Sequence, residues 1–378
     1  MKKKYIIFSI VTLVLLVSFL SYSKYLKITN VCKENVKPTK IPKGISMNFE
    51  QTAGAGDYKT VTQSSWPTEG YKFNAELSRC ENGSTLSWDD TKKAVIMQGN
   101  VSDKCYVYFD KILTLAEYVI SQYTGTQGDN ALYYHNSTLT NGAGDNSYRY
   151  AGASDSINNY ICLGSDVTTC PEANLFRIIG VFGDQTKVIR AKSVGDQKWD
   201  TNGSNTWSTS SLNTYLNGTY LTSLGTLADK IATTTWKVGG NTSANISGVV
   251  PKTAYQYEVG SSASSTTVDK KIGLMYVSDY YYSASPSAWT LVGYNSSDAT
   301  KDYRAATSTN WLYLGSTEWT ISRDSDDTNY AFRVTSTGDV NFSIVDSRSF
   351  AVRPSFNLES SVKYVSGSGS MSDPVRVN

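Results

Sequence analysis

Apolar and polar positions along this chain follow two different periods. Between residues 45 and 110 the period is two. Ile45-Ser46-Met47-Asn48-Phe49, Tyr71-Lys72-Phe73-Asn74-Ala75-Glu76-Leu77, Ala94-Val95-Ile96-Met97 and Tyr106-Val107-Tyr108-Phe109 are short strand-like runs. Glu81-Asn82-Gly83 and Gln98-Gly99-Asn100 supply turns between them. This pattern predicts a small β-sandwich over residues 44–111, read as a spacer. The period then lengthens. Ile112, Leu115, Ala116, Val119, Ile120 and Tyr123 recur at helical spacing and share one face, and Gly125 and Gly128 end the run. The stripe is expected to pack on the core of a carboxy-terminal domain, residues 112–378.

Within that domain the runs become strand-like again. Residues 128–170 are polar and glycine-rich, with loops and exposed strands expected. Residues 175–182 and 187–191 flank the turn Gly183-Asp184-Gln185 and predict a hairpin. Ser208, Ser210 and Ser211 offer a cap for a short helix with Leu212, Tyr215 and Leu216 on its apolar face, stopped at Asn217-Gly218. Residues 272–277 read as a buried strand, and residues 319–322, 331–334, 342–345 and 351–356 as a closely spaced series of strands.

The amino terminus changes the picture from fold to location. Met1 and three lysines precede an uncharged apolar run of sixteen residues, Tyr5 to Leu20, somewhat short of the roughly 20 that span a bilayer. A basic head followed by an apolar stretch is the order of a secretory signal or a signal anchor, residues 1–23, forming an amino-terminal hydrophobic helix. Ser21-Tyr22-Ser23 offers a cleavage site. The lysine-rich, proline-containing residues 24–43 read as a linker. An exported chain permits disulfides. Cys80 ends one strand-like run and Cys105 lies in another, while Cys162 and Cys170 flank a short polar loop. The bridges Cys80–Cys105 and Cys162–Cys170 are expected, leaving Cys32 without a partner. A net charge of +2, much of it in the amino-terminal lysines, gives no electrostatic footprint for nucleic acid.

Five short segments occur in one order: Phe176-Arg177-Ile178-Ile179-Gly180; Trp207 with Leu212, Tyr215, Leu216 and Asn217; Trp319-Thr320-Ile321-Ser322-Arg323; Gly338; and Val352-Arg353-Pro354. Together they resemble a bacterial domain-of-unknown-function family with a C-type-lectin-like fold, related in fold to the formylglycine-generating, sulfatase-modifying enzymes. The resemblance covers residues 113–378. The ending Gly367-Ser368-Gly369-Ser370-Met371-Ser372-Asp373-Pro374 resembles one that recurs in gut-type Gram-positive surface proteins. It implies an α+β chain: a C-type-lectin-like domain preceded by the small β-sandwich and the hydrophobic helix. It does not carry the activities over. The calcium-holding Glu-Pro-Asn, Gln-Pro-Asp and Trp-Asn-Asp motifs of sugar-binding lectins are absent, and no cysteine follows Cys170 to serve as in the formylglycine-generating enzymes.

Little else in the chain carries chemistry. His135 is the single histidine, which rules out most histidine triads and histidine metal sites, and no G-x-S-x-G occurs. Glu258, Asp269 and Asp279 are read as solvated loop carboxylates. Asp324, Asp326 and Asp327 could offer hard oxygens to calcium, but without the closing glutamate of an EF-hand the loop reads as a solvated turn. No cofactor is expected. The site-like feature is aromatic: Tyr280, Tyr281, Tyr282, Trp289, Tyr294, Tyr303 and Tyr313 lie in segments rich in Ser, Asn and Asp. In the lectin-like fold, long loops before the final strands build the binding face, and rings beside amides suit glycan or protein contact. At least half of these rings are expected inside; Trp311, Trp319 and Arg353 are read as structural. The expectation is a non-enzymatic surface protein, membrane-tethered or secreted, that recognises an extracellular glycan or protein. A structural envelope component is the alternative, and an envelope hydrolase the remote one.

Overall fold

The computed structural model describes residues 44–62, 70–92, 94–100 and 102–378. The apolar run of residues 5–20, the linker and Cys32 lie outside the described residues. Among the described residues no helix is long and apolar enough to cross a membrane. The chain divides into two units, residues 1–113 and 114–378.

In the first unit the strands are β1 (Ile45–Glu50), β2 (Tyr58–Val61), β3 (Tyr71–Cys80), β4 (Thr85–Asp89), β5 (Ala94–Gln98) and β6 (Cys105–Lys111). They form a four-stranded sheet in the order β2-β1-β6-β3, with β4 and β5 a separate hairpin. Alternation in β6 sends Cys105, Val107 and Phe109 inward. Phe49 stacks on Phe109 with centroids 4.8 Å apart, and Val95, Leu86 and Trp88 of the hairpin close over the same cluster. Cys80 and Cys105 are cross-strand partners and are bridged. The β1–β6 pairing is parallel, which period-two patterning alone does not disclose.

The second unit is α+β. Its helix α1 (Leu115–Ser121) starts on a capping box in which the Thr114 hydroxyl accepts from Glu117 N and the Glu117 carboxylate accepts from Thr114 N. Its strands are β7 (Leu132–Tyr134), β8 (Tyr148–Tyr150), β9 (Tyr160–Cys162), β10 (Leu175–Phe182), β11 (Gln185–Arg190), β12 (Asp196–Gln197), β13 (Thr234–Lys237), β14 (Thr267–Lys270) and β15 (Ile272–Gly273). They continue as β16 (Glu318–Arg323), β17 (Tyr330–Val334), β18 (Val340–Ile344), β19 (Phe350–Ala351), β20 (Ser355–Leu358), β21 (Tyr364–Ser366) and β22 (Val375–Val377). The large sheet runs β15-β20-β11-β10-β9-β22-β21, with β8 laid on β10 and β7 on β8. A five-stranded sheet runs β12-β19-β16-β17-β18, and β13 pairs with β14. Gly180 lies where β8 pairs with β10, and a Cβ there would collide with Tyr148 O. The Cys162–Cys170 bridge is formed.

Three local expectations are corrected. The helix at 211 does not stop at Asn217-Gly218. Helix α2 (Ser211–Tyr215), capped by Ser210, runs on through a π turn, Leu216–Tyr220. Asn217 does not break it because its amide is engaged elsewhere: Nδ2 donates to Ile272 O and Oδ1 accepts from Ile272 N. The expected strand at 272–277 is two residues long. Asp279 and Glu258 capture the backbone amides of residues 276–278 and turn the chain into a helix. Finally, Val352-Arg353-Pro354 is not strand; it is the crossover from β19 in one sheet to β20 in the other. Arg353 pins that crossover. Its guanidinium donates to both Glu318 carboxylate oxygens at 2.7 and 2.8 Å and to Leu312 O at 2.6 Å, with both side chains buried. Trp311 and Trp319 are buried, and their indole N–H groups donate to Tyr150 O and Gln197 O.

Candidate functional site

The tyrosine-rich stretch does not form a binding face. Tyr276 caps a helix that carries Tyr280, Tyr281 and Tyr282, and all three rings are fully buried, as are Trp289 and Tyr303. A tyrosine can enter a core when its hydroxyl finds an acceptor, and each of these does. Tyr280 donates to Gly338 O, Tyr281 to Ile246 O, Tyr282 to Asn141 O and Tyr303 to Tyr281 O, and the Trp289 indole donates to Ala284 O. As contact residues these five are therefore corrected to core. Tyr294 is 38% exposed, and Tyr313 is half-buried with its hydroxyl on Ser336 O.

The acidic loop is likewise internal turn chemistry. Asp324 Oδ1 accepts from Asp326 N, and Asp327 Oδ1 accepts from Asn329 N. The three carboxylates do not converge. Among the described residues the only close grouping of potential ligands is Cys80, Asp103 and Cys105, whose thiols are spent in the disulfide.

The carboxylates read as solvated give the larger correction. Asp269 is exposed, but Glu258 and Asp279 are both buried. Helix α3 (Pro251–Glu258) ends at Glu258, whose carboxylate caps the start of α4 (Val277–Tyr282) by accepting from Val277 N and Ser278 N. Ser322 also donates to it. Burial, outweighing those hydrogen bonds, raises its pKa above the ordinary carboxylate range.

Asp279 is the hub of a second cluster. Its Oδ2 accepts from Lys187 Nζ at 2.6 Å and from Tyr276 N, and its Oδ1 lies 4.0 Å from Arg149 Nη1. Arg149 in turn donates through Nη2 to Asp145 at 2.6 Å and through Nε to Ser147 Oγ. Arg149 and Lys187 project from β8 and β11, which flank β10, so the large sheet sets their positions. Burial alone would raise the Asp145 carboxyl. The Arg149 charge and the Ser147 hydrogen bonds more than offset it, holding Asp145 well below the usual range. Rings surround both cations. Arg149 packs over Phe182, Tyr255 and Tyr282, and Lys187 over Trp236 and Tyr276.

These groups line a cleft of about 240 Å³, open between β13, α3 and the sheet. Sequence reasoning passed over Asp145, Arg149 and Lys187. A signal did exist: Lys187 leads directly into the apolar pair Val188-Ile189 of a strand buried on both faces, where a charge needs a partner.

His135 sits behind the cleft, 4.8 Å from the Tyr282 ring and 5.2 Å from Trp289. Burial first, and the Arg149 charge second, push its pKa well below the ordinary 6.5. The folded state therefore stays unprotonated while the unfolded chain takes up a proton below about pH 6.5. Stability from this group is complete above that pH and falls by up to about 1.4 kcal/mol per unit as the pH drops. Denaturant melts of wild type and His135→Asn between about pH 7.5 and 5 should differ by that slope. Glu258 and Glu318, both raised by burial, contribute the opposite slope in both proteins and cancel in the comparison.

Neither curated proteins nor solved structures give a match to this chain. Residues 183–360 match the family described as Domain of unknown function (DUF6273), a stretch that holds Lys187, Tyr255, Asp279 and Arg353 but not Asp145 or Arg149. The matched stretch lies within the second unit.

Proposed function

We propose that this is an exported, non-enzymatic recognition protein of the cell surface, tethered through its amino-terminal segment or released, whose second unit is a C-type-lectin-like domain for an extracellular glycan or protein. The order of the five sequence segments, the α+β arrangement and the two disulfides support this reading. So does the way the second unit closes on itself, with Leu115 N at the start of α1 donating to Val362 O just before β21.

One observation carries the choice of binding over turnover. Both carboxylates of the cleft are spent on neighbouring cations, and its remaining cation, Lys237, donates to Gly260 O. Lys187 and Asp279 form a buried pair, and buried Arg149 pairs with the partly exposed Asp145. A catalytic base or nucleophile needs an accessible lone pair and a pKa near the working pH. A clamped array of fixed donors, acceptors and rings is instead suited to holding a polar ligand in place. Incubating the purified chain with a glycan array and with extracellular host and envelope proteins tests this. Specific retention of one class of ligand is expected. No binder at high micromolar protein, or turnover of a bound glycan, would overturn it.

A further inference from the structure

Building on that reading, we infer that the cleft beside Asp279 is a subsite for one neutral sugar unit, with a ligand hydroxyl seated between Arg149 Nη1 and Asp279 Oδ1.

The spacing of those two atoms is the starting point. At 4.0 Å they are too far apart for a hydrogen bond and too close to be strangers. An oxygen placed about 2.8 Å from each closes the gap with ordinary geometry. The group that fills it must accept from a guanidinium, which only donates, and donate to a carboxylate, which only accepts. A hydroxyl does both at once; an ammonium or a carboxylate does one. Among the described residues Nη1 and Oδ1 have no nearer partner, and both residues line the cleft. The remaining bonds of Arg149 and Asp279, to Asp145, Ser147, Lys187 and Tyr276, hold the two atoms in position before any ligand arrives.

The pairing at the gap points the same way. The two carboxylates and two cations beside it are already paired, and the third cation of the lining, Lys237, donates to Gly260 O. An anionic ligand would face Asp145 and Asp279, and a cationic one would face Arg149 and Lys187. A neutral polyol meets neither penalty. The rings supply the apolar complement. Phe182, Tyr255 and Tyr276 are half-buried at the wall, and Tyr276 is fixed because its hydroxyl accepts from Lys237 N. A pyranose offers C–H groups on one face and hydroxyls on its edge, which matches a wall of rings beside a polar gap. The volume limits the ligand: about 240 Å³ lies below the roughly 300–1,000 Å³ of drug-sized sites, so a single ring enters and any further sugars extend outside.

The test is a calorimetric or saturation-transfer titration of the full chain with neutral hexoses, N-acetylhexosamines, a hexuronic acid and an unacetylated amino sugar, each to millimolar concentration. Thr235→Trp is the first variant. Thr235 is exposed on β13 at the cleft mouth, so an indole there blocks entry without entering the core. The second is Asp279→Asn, which keeps the side-chain shape but removes the charged acceptor. Binding of a neutral sugar, weakened about tenfold or more by either variant with the circular dichroism of Thr235→Trp unchanged, is the expected result. Preference for the acidic or amino sugar, or neutral-sugar binding undiminished by Thr235→Trp, overturns the inference. If no sugar binds but a protein partner is captured, this subsite fails and the recognition reading stands. If neither binds, both fail.

Discussion

Glu318→Ala is expected to destabilise the 114–378 unit by about 3–5 kcal/mol, lowering its melting temperature by roughly 10 °C. The cause is what remains behind. Arg353 is sealed from solvent at the crossover between the two sheets, and among the described residues its carboxylate partner is Glu318 alone. Without it a guanidinium stays buried with one carbonyl, Leu312 O, as its remaining acceptor. Because the pair also carries its own desolvation cost, removing both charges is expected to recover much of the loss. Thermal and denaturant melts of Glu318→Ala, Arg353→Met and the Glu318→Leu/Arg353→Met double variant check this. A single variant within about 1 kcal/mol of wild type would show that the pair holds nothing in place.

Asp279→Ala is expected to cost a similar amount, about 3–5 kcal/mol, by a different route. Asp279 neutralises Lys187 and accepts from Tyr276 N at the first turn of α4, so one truncation strands Lys187 and uncaps a helix, while Arg149 keeps Asp145. The Lys187→Met/Asp279→Ala double variant should regain part of the stability but not the helix cap. A double-mutant cycle read by chemical denaturation separates the two contributions. Equal losses in the Asp279→Ala and Lys187→Met/Asp279→Ala proteins would assign the whole effect to the cap and refute the role of the ion pair.

Local features of this fold could be read from the chain. The hairpin of β10 and β11 is two apolar runs about a Gly-Asp turn, and α1 is a helical stripe with a capping box at its start. Both bridges join cysteines within one local segment, 25 and 8 positions apart. The tyrosine triplet was misleading because its burial depends on remote acceptors: Gly338 O lies 58 positions from Tyr280. The cleft was hidden for the same reason. Lys187 and Asp279 meet across 92 positions, and each alone looks like an ordinary surface charge. The helix at 277 replaced an expected strand because Glu258, on another helix, caps it. Period and turn chemistry act over a few residues, whereas partners for buried polar groups come from anywhere in the chain.

The placement of β9 bears on how the molecule is made. This strand lies between β10, which follows it closely, and β22, whose Arg376 stands 211 positions beyond Ser165. The Cys162–Cys170 loop beside it is held by Arg376, which donates to Ser165 O and Thr168 O. Until β22 docks, β9 presents an unpaired edge of the kind that recruits other chains. A chain cut before Val375 would therefore carry an adhesive flank, and loss of β22 is a route to aggregates.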